Sequence, residues 1–213
     1  MIIAIDGPAA SGKGTLARRL AAHFGLAYLD TGLIYRAVGA RTADLGADPA
    51  DAAAATAAAE ALTLADLART DLRGEAAASA ASKVAAIPGV RAALLDFQRR
   101  FAATPPGAVL DGRDIGTVIC PDATAKLFLL ASAEVRARRR AAELQARGEA
   151  GIYAAVLRDL MARDERDSGR DVAPLQPAAD AILLNTDDLN ADQVFELAVQ
   201  AVGRKVGGGS AQD

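Results

Sequence analysis

The chain has 213 residues, 52% of them apolar but only 4% aromatic, so its core must come from Leu, Val, Ile and closely packed Ala, in one domain with room for small insertions. A net charge of −3 with no long block of like sign argues against a nucleic-acid polymer or a membrane surface as partner. The single cysteine, Cys120, excludes an internal disulfide, and with only His23 beside it a Cys/His metal cage is excluded as well, so cytoplasmic residence is the default expectation.

The first element is the apolar run "IIAID" (2–6), read as a strand that feeds the Gly-rich stretch "GPAASGKGT" (7–15). A helix follows, with Leu16, Leu20 and Phe24 on one face, Arg18 and Arg19 elsewhere, and Gly25 as its stop. A second short run, "LAYLD" (26–30), leads into "TGLIYR". Residues 43–81 are dominated by alanine and have helix propensity with little but methyl groups to pack, which marks a small excursion from the main sheet. Three further runs, 107–111, 125–131 and 181–185, complete a series of five, separated by helical stretches. That alternation predicts a parallel sheet covered on both faces, an α/β fold. "QARGEAGI" (145–152) interrupts two charged helices where a mobile flap can hinge, and the tail "KVGGGSAQD" is expected to be flexible. The start shows no secretory signal, and no apolar run approaches the roughly 20 residues of a membrane span, so a soluble protein is expected.

"GPAASGKGT" departs from the common phosphate loop, in which Ser or Thr follows the lysine directly. Gly14 stands there instead, and the hydroxyl comes one residue later, at Thr15. The context of strand, Gly-rich turn and helix still makes a nest of backbone N–H groups backed by the positive end of a helix. Lys13 then reaches the β- and γ-phosphates as a point charge, and Thr15 bonds a phosphate oxygen. Without a first-shell hydroxyl, a magnesium ion is held mainly by phosphates and water.

Other stretches bear on the acceptor. In "YLDTGLIYR" (28–36), Thr31, Tyr35 and Arg36 follow the second strand, where open α/β sheets place ligands, and suit a phosphate clamp beside a stacking surface. An ordinary helix start with Thr as its cap and a surface Arg reads the same way. In "VLDGRDIGT" (109–117), Asp111 ends a strand and can orient magnesium-bound water, while Arg113 and Asp114 project adjacent opposite charges that a surface ion pair also explains. In "MARDERDSGRDVAP" (161–174), Arg163, Arg166, Asp167 and Arg170 share a helix face if the helix passes Gly169. Ser82 and Arg91 bracket a proline turn that by itself decides nothing.

Together "GPAASGKGT", "DTGLIYR", "DGRDIGTVICPDA" and "RDERDSGRDVAPL" resemble, in order and spacing, the bacterial cytidylate kinases, over residues 2 to about 200. The resemblance implies a P-loop NTPase-like five-stranded parallel sheet flanked by helices in one domain (1–205). It also implies a small acceptor-binding insertion (37–95) and a short lid (143–160), before a tail at 206–213. It implies transfer of the ATP γ-phosphoryl group to CMP or dCMP with Mg2+, by a monomer.

For the residues, it implies that Gly7, Pro8, Ala9, Ala10, Ser11, Gly12, Lys13, Gly14 and Thr15 bind the ATP phosphates, with Lys13, Asp111 and Arg113 catalytic. Arg36, Arg113 and Arg170 would hold the acceptor's phosphate, and Ser82, Arg91 and Asp114 would read the cytosine edge. Arg163 and Asp167 would contact the sugar, and Thr31 and Tyr35 would line the pocket. Arginines 136, 138–140, 147 and 158 surround the lid without a basis for choosing among them. The chain departs from the family pattern at Thr31, where Ser is usual, and at 43–81, which is short and poor in strand formers.

Rival readings are a P-loop kinase for UMP, AMP or shikimate, which would lack the joint "DGRD" and "RDxRDxGRD", and a nucleotide switch that ignores CMP. On either kinase reading, Lys13→Ala is expected to abolish turnover in a chain that still folds, by circular dichroism; undiminished turnover would overturn the phosphate-loop reading.

Overall fold

Ile3, Ala4 and Ile5 are consecutive and fully buried. A strand covered on both faces gives that pattern, and these residues lie in β1 (Ile2–Asp6), the middle strand of the sheet. In the computed structural model, which describes residues 1–208, the other strands are β2 (Ala27–Asp30), β3 (Ala108–Gly112), β4 (Ala125–Leu130) and β5 (Ile182–Asn185). Their order across the sheet is β2-β3-β1-β4-β5. The β1–β3, β1–β4 and β4–β5 pairings are parallel, and the register sets Ile5 against Asp111 and Asp6 against Gly112. The five predicted runs are thus the five strands of a P-loop NTPase-like parallel sheet.

The chain divides into two compact units, the first made of Met1–Leu29 with the chain from Ala102 onward, the second of Asp30–Phe101. In the first, helices α1 (Lys13–Phe24) and α9 (Ala191–Gly208) pack on the sheet, where Leu16 and Leu20 meet Ile3, Ile5, Val109, Leu127 and Leu129 with Val194, Ala198 and Val202. Phe24 packs against the same cluster, and the ring of the exposed His23 meets Phe24 and Phe195 edge-on at 4.7 and 5.6 Å. A second cluster joins α7 (Ala133–Ala146) to α8 (Tyr153–Ser168) through Ala137, Ala141, Leu144, Val156 and Leu160, with Ala9 of the Gly-rich loop in the same cluster. Residues 147–152 connect these helices, and Gln145 Nε2 donates to the Gly151 carbonyl at 2.9 Å.

Helix α9 runs to Gly208, three residues into the stretch expected to be a flexible tail; residues 209–213 lie outside the described residues. No described helix is long and apolar enough to cross a membrane.

After the end of β2, the second unit is built of helices joined by short turns, with no strand among its described residues. It comprises α2 (Thr31–Asp44), α3 (Ala52–Glu60), α4 (Leu64–Leu67), a 3-10 turn at Thr70–Arg73, α5 (Glu75–Val84) and α6 (Pro88–Ala103). Alanine makes this possible, since methyl groups let helix axes approach closely. Asp51 caps α3 by accepting from Ala53 N and Ala54 N at 2.9 and 3.0 Å, and Ala55, Ala58 and Ala59 are buried. Between α2 and α5 the approach is closest at Gly39, where an added Cβ would stand 2.8 Å from Ala80 Cβ. Gly39→Val is therefore expected to cost roughly 1–3 kcal/mol through overpacking and to lower the Tm by several degrees in a thermal scan; an unchanged Tm would refute this close packing.

Candidate active site

At the end of β1 the chain turns sharply. Gly7 has φ +147°, and a Cβ there would lie 2.5 Å from the Leu129 carbonyl oxygen, so no side chain fits. Ala10 adopts φ 59°, a left-handed conformation that costs a non-glycine residue energy and gathers at ligand-binding loops. Gly12, φ 92°, occupies the cap position of α1 without any capping side chain, which leaves the first N–H groups of the helix available to an anion. Lys13 folds back over the loop, its ammonium donating to the Pro8 carbonyl at 2.6 Å and to Ser11 Oγ at 3.4 Å. Burial, aided by the Arg113 guanidinium and opposed by Asp111, holds that ammonium well below the usual lysine value. An incoming phosphate favours its charged form.

Beside the loop, buried Asp111 accepts the Tyr28 hydroxyl on Oδ1 at 3.0 Å. A Cβ on Gly14 would stand 3.8 Å from Asp111 Oδ2, so the residue that departs from the common motif faces this carboxylate. Arg113 and Asp114 follow β3, and Ile115–Ile119 then form a single π-helical turn. That turn is held by a residue that sequence reasoning passed over. Asp6, 4% exposed, accepts from Ile115 N on Oδ1 and from Gly116 N on Oδ2, each at 2.8 Å. The available signal was an Asp closing an otherwise apolar strand.

The carboxylate of Asp167 in α8, 1% exposed, is the centre of a cluster of arginines. Arg113 Nε donates to its Oδ2 at 2.8 Å, Arg170 Nη2 bonds Oδ1, and Arg163 Nε lies 3.9 Å from Oδ2. Burial works against ionisation, but the guanidiniums of Arg113, Arg170 and Arg163 outweigh it and hold the carboxyl below its ordinary value. Three cations around one anion leave this group of four side chains positive. The shared helix face of 163, 166, 167 and 170 depended on the helix passing Gly169, and it does not: Gly169 caps α8 after Ser168, and Arg170 reaches Asp167 from the turn beyond, while Arg166 is exposed.

In the second unit, Asp30 rather than Thr31 caps α2, accepting from Leu33 N at 3.0 Å. Its other oxygen receives Arg36 Nη2 at 2.7 Å, so Arg36 is oriented by a carboxylate one turn upstream. Thr31 and Ser82 are buried, and Arg91, 7% exposed, places Cζ 5.9 Å from the Tyr35 ring centroid. Tyr35 and Arg91 are thus brought together.

A family model described as cytidylate kinase matches residues 3–204. The chain belongs to the cytidylate kinase family. Among curated relatives, a cytidylate kinase of Paramagnetospirillum magneticum is 67% identical over 96% of this chain and 98% of its own. One of Methylocella silvestris is 61% identical over 95% and 94%. A crystal structure of an uncharacterized protein from Eubacterium ventriosum shares the fold at TM-score 0.54 and 15% identity, over 95% of this chain and 98% of that one. As a member of the cytidylate kinase family the chain is a phosphotransferase, dependent on ATP.

The structure also sorts the arginines at 136, 138–140, 147 and 158. Arg136 is buried and donates to the Ala131 carbonyl (2.9 Å), to the Ala9 carbonyl of the phosphate loop (3.2 Å) and, through both terminal nitrogens, to Asp164 of α8 (3.1 and 2.6 Å). Arg139 holds Thr186 Oγ1 at 3.1 Å and the Leu189 carbonyl at 3.4 Å. Arg140 and Arg147 bond Glu143, Arg158 lies 3.7 Å from Asp159, and Arg138 is exposed. Of these, Arg136 bonds the phosphate loop, through the Ala9 carbonyl.

Asp6 has its carboxyl pushed up to about 7 by burial, against the lowering effect of its two backbone bonds, with Asp114 raising it further and Lys13 opposing. Between the unfolded value near 3.8 and about 7 the folded chain holds a proton that the unfolded chain releases, so stability falls as pH rises through this window. Denaturant titrations of wild type and Asp6→Asn from pH 4 to 8.5 are expected to show that decline in the wild type and a shallower one in the variant; parallel curves would overturn it.

Proposed function

We propose that the chain transfers the γ-phosphoryl group of ATP to CMP or dCMP, giving ADP and CDP or dCDP, with the site residues in the following roles. Gly7 to Thr15 cradle the ATP phosphates, and Lys13 supplies a point charge at the β- and γ-oxygens. Arg36, Arg113 and Arg170 hold the acceptor's phosphate, one oxygen of which attacks the γ-phosphorus in line as the bond to ADP breaks. Arg113 and Lys13 meet the charge on the transferring group, which needs positioning and cations more than covalent help. Ser82, Arg91 and Asp114 read cytosine, since an Arg/Asp set offers the donors and acceptors that its N3, O2 and amino group demand. Arg163 and Asp167 contact the sugar, and Thr31 and Tyr35 line the pocket.

What supports this reading most is the carboxylate of Asp167 among Arg113, Arg163 and Arg170, a group with excess positive charge suited to a dianionic phosphate.

The residues present fit a magnesium ion. Asp111 presents Oδ2 toward Gly14, and no group of three His, Cys, Asp or Glu side chains suited to a metal occurs among the described residues. One carboxylate acting through water matches an ion that takes its other ligands from phosphates and solvent. Bound there, Mg2+ supplies charge neutralisation at the β- and γ-oxygens. Residues 143–160 act as the lid that excludes water, with Arg136 as the lid-helix charge at the loop. The chain works as a monomer in the cytoplasm on free nucleotides, as the family resemblance suggests.

The test is coupled ADP formation with ATP and magnesium against CMP, dCMP, UMP, AMP and shikimate at equal concentration. CMP and dCMP are expected to dominate by orders of magnitude, because a mismatched base leaves buried partners unpaired. Preference for AMP or UMP would overturn the base-reading roles, and indifference to every acceptor would overturn the kinase.

A further inference from the structure

We propose that Asp6 is a positioning residue for acceptor recognition, its buried side chain fixing where Arg113 and Asp114 stand. This rests on the reading that those two side chains bind the acceptor.

The geometry has an economy that the sequence hides. The backbone of Asp6 lies opposite Gly112 in the β1–β3 register, and its side chain bonds the N–H groups of Ile115 and Gly116 at 2.8 Å each. One residue therefore holds the chain on both sides of Arg113 and Asp114, and only those two positions lie between the anchors. A two-residue segment tethered at both ends has few backbone conformations left to lose, so its side chains start from set points when a ligand arrives. The downstream anchor is reinforced, because Val118 N and Ile119 N both donate to the Asp114 carbonyl, at 2.9 and 3.2 Å. From its fixed base Arg113 reaches Asp167, and a second nitrogen donates to the Gly112 carbonyl at 3.3 Å.

The carboxylate is costly where it stands. It is 4% exposed, and the partners of its oxygens are backbone N–H groups rather than a cation. A neutral side chain there relieves the cost of burying charge, but it cannot accept from two adjacent N–H groups with two equivalent oxygens. Asparagine keeps the shape and one acceptor, and turns an NH2 group toward the other N–H.

The decisive comparison is Asp6→Asn with Asp114→Asn as reference, in steady-state kinetics with CMP and UMP, direct titration of ATP into the free protein, and thermal unfolding. Asp6→Asn is expected to raise KM for CMP by about tenfold, the effect of roughly one charge-assisted hydrogen bond, and to lower CMP-over-UMP discrimination by a similar factor. Its ATP affinity should stay within about twofold and its Tm should not fall.

Gly116→Ala is the second variant and decides the matter if Asp6→Asn does not fold. Its methyl would stand 3.4 Å from Asp6 Oδ2 and 3.2 Å from Lys126 Cδ, which disturbs the clamp without altering its charge, and the same split between CMP and ATP is expected. Wild-type KM and discrimination in the folded variants, with Asp114→Asn impaired, would overturn the positioning role alone. Equal losses of ATP and CMP binding would also overturn it, by showing a general structural role. If Asp114→Asn itself discriminates like wild type, the assignment of the base-reading residues fails first.

Discussion

An ion taken out of water must be met by partners or give up its charge, and this constraint organises the first unit. Asp6, Lys13, Asp111 and Asp167 are all nearly buried. Each is answered differently: Asp6 by two backbone N–H groups, Lys13 by a carbonyl and a hydroxyl, Asp111 by the Tyr28 phenol, Asp167 by three guanidiniums. The apolar sheet beneath supplies the rigidity that these answers need. Ile3, Ile5, Leu127 and Leu129 allow no rearrangement by which a charged group escapes to solvent, so the polar groups above them are fixed in number and direction.

The donor and acceptor halves of such a reaction share this logic but differ in material. The phosphate loop relies on backbone, with Gly7, Ala10 and Gly12 all at positive φ. The cluster around Asp167 relies on side chains, with Arg113 and Arg170 held in place by its carboxylate. Pre-arrangement of long cationic side chains reduces the entropy lost on binding, which is where much of their affinity is otherwise spent. Arg136 joins the two materials, since its guanidinium bonds both the Ala9 carbonyl and Asp164, the residue after Arg163.

Sequence revealed what is local. The strands were legible because runs such as "IIAID" and "AKLFLL" are mostly apolar and bounded by polar or Gly residues, and α1 because Leu16 and Leu20 recur at helical spacing. Family motifs supplied the expected acceptor residues as a set, and Gly169 already marked a stop for the helix on which 163, 167 and 170 would share a face. Asp6 stayed hidden because its partners lie more than a hundred residues away, at Ile115 and Gly116. Asp30 was hidden for a different reason, since a hydroxyl at Thr31 is an equally good cap on paper, and only the bond to Leu33 N separates them. The arginines at 136, 138–140, 147 and 158 have no local signature at all; burial of Arg136 and exposure of Arg138 depend on which face of α7 meets α8.

The alanine-built helices of the second unit carry a consequence for how sequence change can proceed there. Contacts made by Ala55, Ala58, Ala59 and Ala81, and by Gly39 against Ala80, leave almost no volume to trade. In a core of leucines one residue can shrink while a neighbour grows, because both have methylenes to exchange. Here neither partner has anything to give up, so an enlargement on α2 finds no compensating reduction on α5 short of moving a helix. The segment that looks least constrained by its composition is thus the one in which paired substitutions are hardest to find.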